Sequence, residues 1–170
     1  RPVKCTDQGF RPVDIKVGPD GAIYVCDLYE QRIDHSSHYA GRVARGTGRI
    51  YRIIGKKTPT SAPRDMSRLE SAALVALFSS PDRWVRHQAS RLLGERRDEA
   101  TRKALEKELF SGPRPLEALW SLGFGRPLDD RLARRALSHP DEHVRRWAIR
   151  LICDKRQVSG SLVEHLIELG

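Results

Sequence analysis

Apolar and polar residues alternate along the first third of the chain, then recur at three- and four-residue intervals along the rest. Val13, Ile15 and Val17 are interleaved with Asp14 and Lys16, a period of two that predicts a strand with unlike faces. Gly18, Pro19, Asp20 and Gly21 then predict a turn: proline presets its own φ, and Asp-Gly supplies the positive φ a hairpin needs. Ala22 to Cys26 predicts the returning strand and Arg49 to Ile53 a third. Between them runs a long polar stretch, Leu28 to Thr47, read as a loop. Loops of that length are uncommon in a small sheet and are often functional.

Both patterns break over Lys56 to Pro63, which reads as a linker, and a helical period follows. Ser67 and Glu70 have the spacing of a capping box, in which each side chain satisfies an orphan amide at the other's end. The segment from Pro81 to Leu93 then matches the segment from Pro140 to Ile152, sharing Pro-Asp-x-x-Val-Arg-x-x-Ala-x-x-Leu. Each proline is expected at a first helical position, followed by an acid that complements the helix dipole. Val85, Ala89, Leu92 and Leu93 form one apolar face, and Val144, Ala148, Leu151 and Ile152 repeat it. A weaker copy lies midway, with Leu116, Leu119 and Leu122 after Pro113 and Pro115. Thr101 to Phe110 and Leu128 to Leu137 predict second helices between the copies, and Ser161 to Leu169 begins another. Helix pairs recurring about every 30 residues describe an α-solenoid.

The expected fold class is therefore α+β with segregated parts. Residues 1–57 read as one antiparallel blade of a β-propeller, 58–66 as a linker, and 67–170 as a HEAT-like α-solenoid. Each propeller blade is a small sheet whose faces are covered by neighbouring blades. A single blade leaves Val13, Ile15, Val17, Ile23 and Val25 partly in water, so the chain is expected to be the tail of a propeller running into a second domain. Its only methionine is Met66, and its last residues fall in mid-repeat, so both ends are expected to be cuts from a longer protein.

Composition narrows the function classes. The chain has 170 residues, 39% of them hydrophobic, with no long apolar run, so no membrane span is expected. The formal net charge of +9 raises nucleic-acid binding, but positives and acids are interspersed, as in Glu95 to Glu99, which favours solvated helix faces. Cys5, Cys26 and Cys153 are widely spaced and include no Cys-x-x-Cys, which argues against a zinc site and a disulfide framework. No Gly-rich phosphate loop, Gly-x-Ser-x-Gly elbow or His-Glu-x-x-His motif occurs. The adjacent carboxylates Asp129 and Asp130 fit a helix start better than acid-base catalysis.

Several stretches carry a family resemblance: Phe10 to Asp14, Pro19 to Tyr24, Asp27-x-Tyr29, Arg32 to His35, and Gly48 to Ile53. With the repeats, they resemble the membrane-bound dehydrogenase family of planctomycetes and related bacteria. In that family a sugar-dehydrogenase-like propeller runs into HEAT repeats, often followed by a c-type haem domain. The resemblance implies a parent oxidoreductase using pyrroloquinoline quinone and haem, a periplasmic or extracytoplasmic location, and contacts with the remaining blades and a downstream domain. No Cys-x-x-Cys-His is present, so this segment attaches no haem, and no cofactor is expected within it.

Two groups of residues could carry function. Asp27, Tyr29, Arg32, His35 and His38 form the densest polar cluster of the strand half. They are candidates for a ligand or metal site, provided a third ligand such as Asp27 or Asp34 converges on the two histidines. The competing reading is local hydrogen bonding, with Asp27 tying the loop to backbone amides. Arg86, Arg91, Arg145 and Arg150 occupy equivalent positions in the two matched repeats. They are candidates for an anionic partner, an acidic protein, a glycan or, less favoured, nucleic-acid phosphates. Against this stands salt bridging to Asp82, Asp141 or Glu142. Trp84, Trp120 and Trp147 read as packing between repeats rather than as a stacking platform. The segment is expected to be an interaction scaffold and not catalytic by itself.

Overall fold

The computed structural model describes residues 4–30, 34–41, 46–56, 65–154, 156 and 158–169. The chain forms two compact units, Arg1–Arg64 and Asp65–Gly170; most of the expected linker, 58–64, lies outside the described residues. Strands are confined to the first and the long helices to the second, an α+β layout with segregated parts.

In the first unit, β1 (Pro12–Val17), β2 (Ile23–Asp27) and β3 (Arg49–Ile53) form an antiparallel sheet in the order β1-β2-β3. A bulge lies between Pro12 and Asp14. The hairpin closes through Gly18 N to Ala22 O at 2.8 Å and Gly21 N to Gly18 O at 3.1 Å. Gly21 adopts φ 76°, where a side chain would be strained. Gly18 lies under Tyr24: an added Cβ would come within 2.3 Å of Tyr24 Cε2. Asp20 latches this loop to the far strand. Its carboxylate accepts from Arg52 Nε (2.7 Å), the Ala22 amide (3.1 Å) and the Tyr24 hydroxyl (3.1 Å). Burial pushes the Asp20 carboxyl up, but these donors outweigh it and hold the group below its ordinary value.

The register places Ile15, Val25 and Tyr51 side by side on one face, with Val17, Ile23 and Ile53 beside them. Only the centre of that face is covered. Val25 is 8% exposed, whereas Ile15 and Val17 are 64% and 56% exposed. The loop after β2 differs from expectation: it holds a short helix, α1 (His35–Tyr39). Asp34 starts it, accepting the Ser36 hydroxyl on its side chain (2.6 Å) and the His38 amide on its backbone carbonyl (3.3 Å).

The second unit contains α2 (Ser71–Ala76), a 3-10 turn at Leu77–Ser79, α3 (Arg83–Glu95), α4 (Glu99–Ser111), α5 (Pro115–Gly123), α6 (Asp130–Leu137), α7 (Glu142–Cys153) and α8 (Gly160–Glu168). Alternate helices form two rows. α3, α5 and α7 pack in succession, α2, α4 and α6 lie against them, and α8 lies against α6. Leu74, Phe78, Ala89, Leu93, Leu109, Leu119, Val144 and Ala148 are fully buried between the rows. These are the apolar positions of the repeated motif and its neighbours. Each large one contributes about 1.5–3 kcal/mol through burial.

Hydrogen bonds between consecutive pairs make the repeat visible. Ser71 meets Thr101, Ser90 meets Ser121, and His139 Nε2 meets Leu109 O, at sequence separations of 30, 31 and 30. Asp130 accepts from Ser159 and Ser161 across 29 and 31 residues. Asp98, Asp129 and Ser159 cap α4, α6 and α8 through their side chains. Each therefore satisfies an amide the helix leaves open.

Two local expectations are corrected. Ser67 and Glu70 form no capping box; α2 begins at Ser71, with Glu70 at the N-cap and no side-chain cap bond. Residues 65–70 instead form a turn, clamped from within by Asp65 and from α3's end by Arg96, which donates to Ser67 O (3.0 Å) and Leu69 O (2.5 Å). Pro81 and Pro140 precede the N-cap rather than opening the helix. Asp82 and Asp141 are themselves the caps, accepting the amides of Trp84 and His143 at 2.8 Å. Asp is a strong cap because its carboxylate reaches the second or third helical amide. Among the described residues, Pro115 is the proline that takes a first-turn position.

Candidate functional site

β2 ends at Asp27, and the chain must turn there to leave the sheet. Asp27 is 3% exposed. Its Oδ1 accepts the amides of Arg11 (2.7 Å) and Tyr29 (3.0 Å), tying the approach to β1 and the exit of β2 together. Its Oδ2 is buried and has no hydrogen-bond partner among the described residues. Unpaired buried carboxylate oxygens are costly, so this atom has the capacity for one further donor.

Tyr29 adopts φ 53°, an uncommon conformation for a bulky residue. Its amide is held by Asp27, and its ring has Arg49 Cζ 3.6 Å from its centroid. Gly9 makes room for that ring: an added Cβ would be 3.0 Å from Tyr29 Cε2. Arg49 also donates to the Tyr51 hydroxyl (3.2 Å) and lies 3.8 Å from Asp7. Tyr51 and Tyr29 both raise the Arg49 pKa, so the guanidinium is charged throughout the accessible pH range. Phe10 packs edge-on to Tyr51 at 5.7 Å.

The structure thus joins Asp27 and Tyr29, and adds Arg11, Arg49 and Tyr51, which sequence reading passed over. Arg49 could have been found from strand register alone, because it pairs directly with Asp27. Arg32 lies outside the described residues. His35 and His38 sit on α1, both exposed, with their rings 6.3 and 5.7 Å from Tyr39. Among the described residues no three of His, Cys, Asp and Glu are placed to hold a metal ion.

A family model described as "Domain of unknown function (DUF7133)" matches residues 3–57. The matched stretch is the strand-bearing part of the chain. No curated protein and no solved structure matches the chain.

On the helices, Arg86 and Arg145 do the same structural work. Arg86 Nη1 donates to Ser80 O (2.6 Å) and Pro81 O (3.0 Å), and Arg145 Nη1 to His139 O and Pro140 O, both at 2.8 Å. The arginine of the Pro-Asp-x-x-Val-Arg motif therefore clamps the turn that leads into its own helix. Neither bridges Asp82, Asp141 or Glu142; those bonds go to carbonyls. Arg91 pairs with Glu95 at 2.6 Å and bonds Gln88, while Arg150 Cζ lies 4.9 Å from the Trp147 ring centroid. Trp120 meets Trp147 edge-on at 5.2 Å, joining adjacent helices of one row.

A charge network on the other row had no obvious sequence signal beyond the Arg102–Glu106 spacing. Glu106 is shared by Arg102 (2.9 Å), Arg131 (3.2 Å) and Arg135 (3.8 Å), and Arg102 also bonds Asp129. Burial pushes Glu106 and Asp129 up, yet hydrogen bonds and arginines outweigh it and leave both carboxyls below their ordinary values. Glu106 and Asp129 raise Arg102 in return.

Proposed function

We propose that this chain is an interaction scaffold within a larger propeller and HEAT-repeat protein, holding a partner or neighbouring domain rather than catalysing a reaction by itself. The observation carrying this reading is the half-covered sheet. Every residue of β1 is exposed, although Val13, Ile15 and Val17 are apolar. Three strands with one open face gain little from burial on their own. Neighbouring sheets, the remaining blades of the parent, would cover Ile15, Val17 and Ile23 beside the already buried Val25. Contacts repeating at about 30 residues in the second unit support a HEAT-type solenoid, which presents extended surfaces to partners. The extracytoplasmic setting belongs to the same proposal and rests on the family resemblance.

A second reading makes the parent a quinone- or haem-linked dehydrogenase, with this segment as one wall of its site. The buried Asp27 Oδ2, without a partner among the described residues, favours it. The residues present do not complete such a site. The sequence has no Cys-x-x-Cys-His for haem, and the described residues offer no three-ligand cluster beside Asp27. Titration of the chain with pyrroloquinoline quinone and calcium, followed by calorimetry, separates the readings. The scaffold reading predicts no saturable binding. Saturable binding that disappears in Asp27→Asn would move the redox site into this chain.

A further inference from the structure

The groove between α3 and α5 differs in chemistry from the rest of the helical surface. It is a cavity of about 360 Å³ lined by Arg86, His87, Arg91, Glu117, Trp120 and Phe124 among others. Phe124 is 50% exposed although aromatic. It is seated against Gly94, where an added Cβ would come within 2.6 Å of the Phe124 side chain. The groove thus offers an apolar shelf beside two guanidiniums.

Arg86 is preorganised. Its clamp on Ser80 O and Pro81 O uses Nη1 alone, and among the described residues its Nε and Nη2 have no partner. A guanidinium already fixed in place loses little freedom when a planar carboxylate meets its open edge. Arg91 is exposed and, among the described residues, held by Glu95 and Gln88 on its own helix. Glu117 lines the same groove and has no ion pair among the described residues.

We infer that this groove binds an extended acidic peptide segment of a partner protein, with its carboxylates on Arg86 and Arg91 and an apolar side chain on Trp120 and Phe124. The inference rests on the scaffold reading and gives that scaffold a partner chemistry. A peptide is favoured over nucleic acid by Glu117. A peptide backbone brings N–H donors to the Glu117 carboxylate, whereas a phosphodiester backbone brings only acceptors. The aromatic shelf likewise suits a leucine or phenylalanine side chain between acidic neighbours.

The test uses the whole 170-residue chain and fluorescence anisotropy with three labelled probes: a short peptide alternating glutamate and leucine, its lysine-for-glutamate counterpart, and duplex DNA. The expected result is saturable binding of the acidic peptide tighter than about 100 μM at low salt, weakening as salt rises. Arg91→Glu and His87→Glu, both at exposed positions, should each keep the helical circular dichroism and weaken the acidic peptide by about tenfold or more. No saturable peptide binding, equal binding of the lysine peptide, unchanged affinity in both variants, or tighter binding of DNA would each overturn the inference. Such a failure leaves the scaffold reading to be judged by the quinone titration, which does not involve the groove.

Discussion

Replacing Arg145 with alanine tests how the repeated motif works. Arg145 Nη1 reaches His139 O and Pro140 O at 2.8 Å each, in a part-buried turn. Hydrogen bonds from a charged donor contribute about 1.5–3 kcal/mol, but both acceptors share one nitrogen and the Pro140 carbonyl regains water in the variant. A net loss of about 2 kcal/mol follows from that accounting. The helical unit spans Asp65–Gly170, and a unit of that size has an unfolding entropy that converts 1 kcal/mol into about 4–5 °C. Arg145→Ala should therefore lower the helical melting temperature by about 9 °C in circular dichroism at constant pH. Arg86→Ala should do nearly the same, because its clamp is identical in form. Arg91→Ala removes the exposed Glu95 pair and the exposed Gln88 bond and should cost less than about 1 kcal/mol. Equal shifts for Arg91→Ala and Arg145→Ala, or a shift for Arg145→Ala abolished by high salt, would refute the clamp, since carbonyl bonds in a part-buried turn are weakly screened.

Other outcomes follow from the packing and charges. Leu119→Ala, at a site with 0% exposure between the helix rows, should cost about 2–5 kcal/mol in denaturant unfolding followed by helical signal. Glu106 and Asp129 have depressed native carboxyls, so the folded state binds fewer protons than the unfolded one. Their contribution is present at neutral pH and is lost as pH falls below the ordinary values of 4.5 and 3.8 and through the depressed native ones. A melting-temperature profile against pH should therefore decline on the acid side, and Glu106→Gln should show a shallower decline. In the first unit, Gly18→Ala drives a Cβ into the Tyr24 ring. Tyrosine fluorescence should report a displaced Tyr24, and exchange of the Ile53 amide, paired with Ile23 across β2 and β3, should accelerate as the Asp20 latch loosens.

The sequence was most legible where one period governs many residues. Alternation at Val13 to Val17 and the run from Arg49 to Ile53 name strands the structure contains. The apolar faces around Ala89 and Ala148 name the buried row. What escaped was set by tertiary partners. The Ser67 and Glu70 spacing loses to a turn that Arg96 clamps from α3's end. Pro81 and Pro140 yield the helix start to Asp82 and Asp141, because the carboxylate of the following residue satisfies an open helical amide that a proline side chain has no atom to accept. Asp27 and Tyr29 were visible as polar residues at a strand end, but Arg11 and Arg49 meet them only through register across the sheet. Arg86 and Arg145 were visible as a repeated pair, while their carbonyl partners depend on the turn geometry.

Residue-resolved hydrogen exchange of the chain, comparing β1 and β2 with α3 and α5, bears most directly on the scaffold reading. A sheet that depends on neighbouring sheets should open locally at little cost, so the amides of Lys16 and Tyr24, which face each other as a bonded pair across β1 and β2, should exchange orders of magnitude faster than those of Ala89 and Leu119. Protection of the β1 and β2 amides equal to that of α3 and α5 would show a self-sufficient sheet and contradict it.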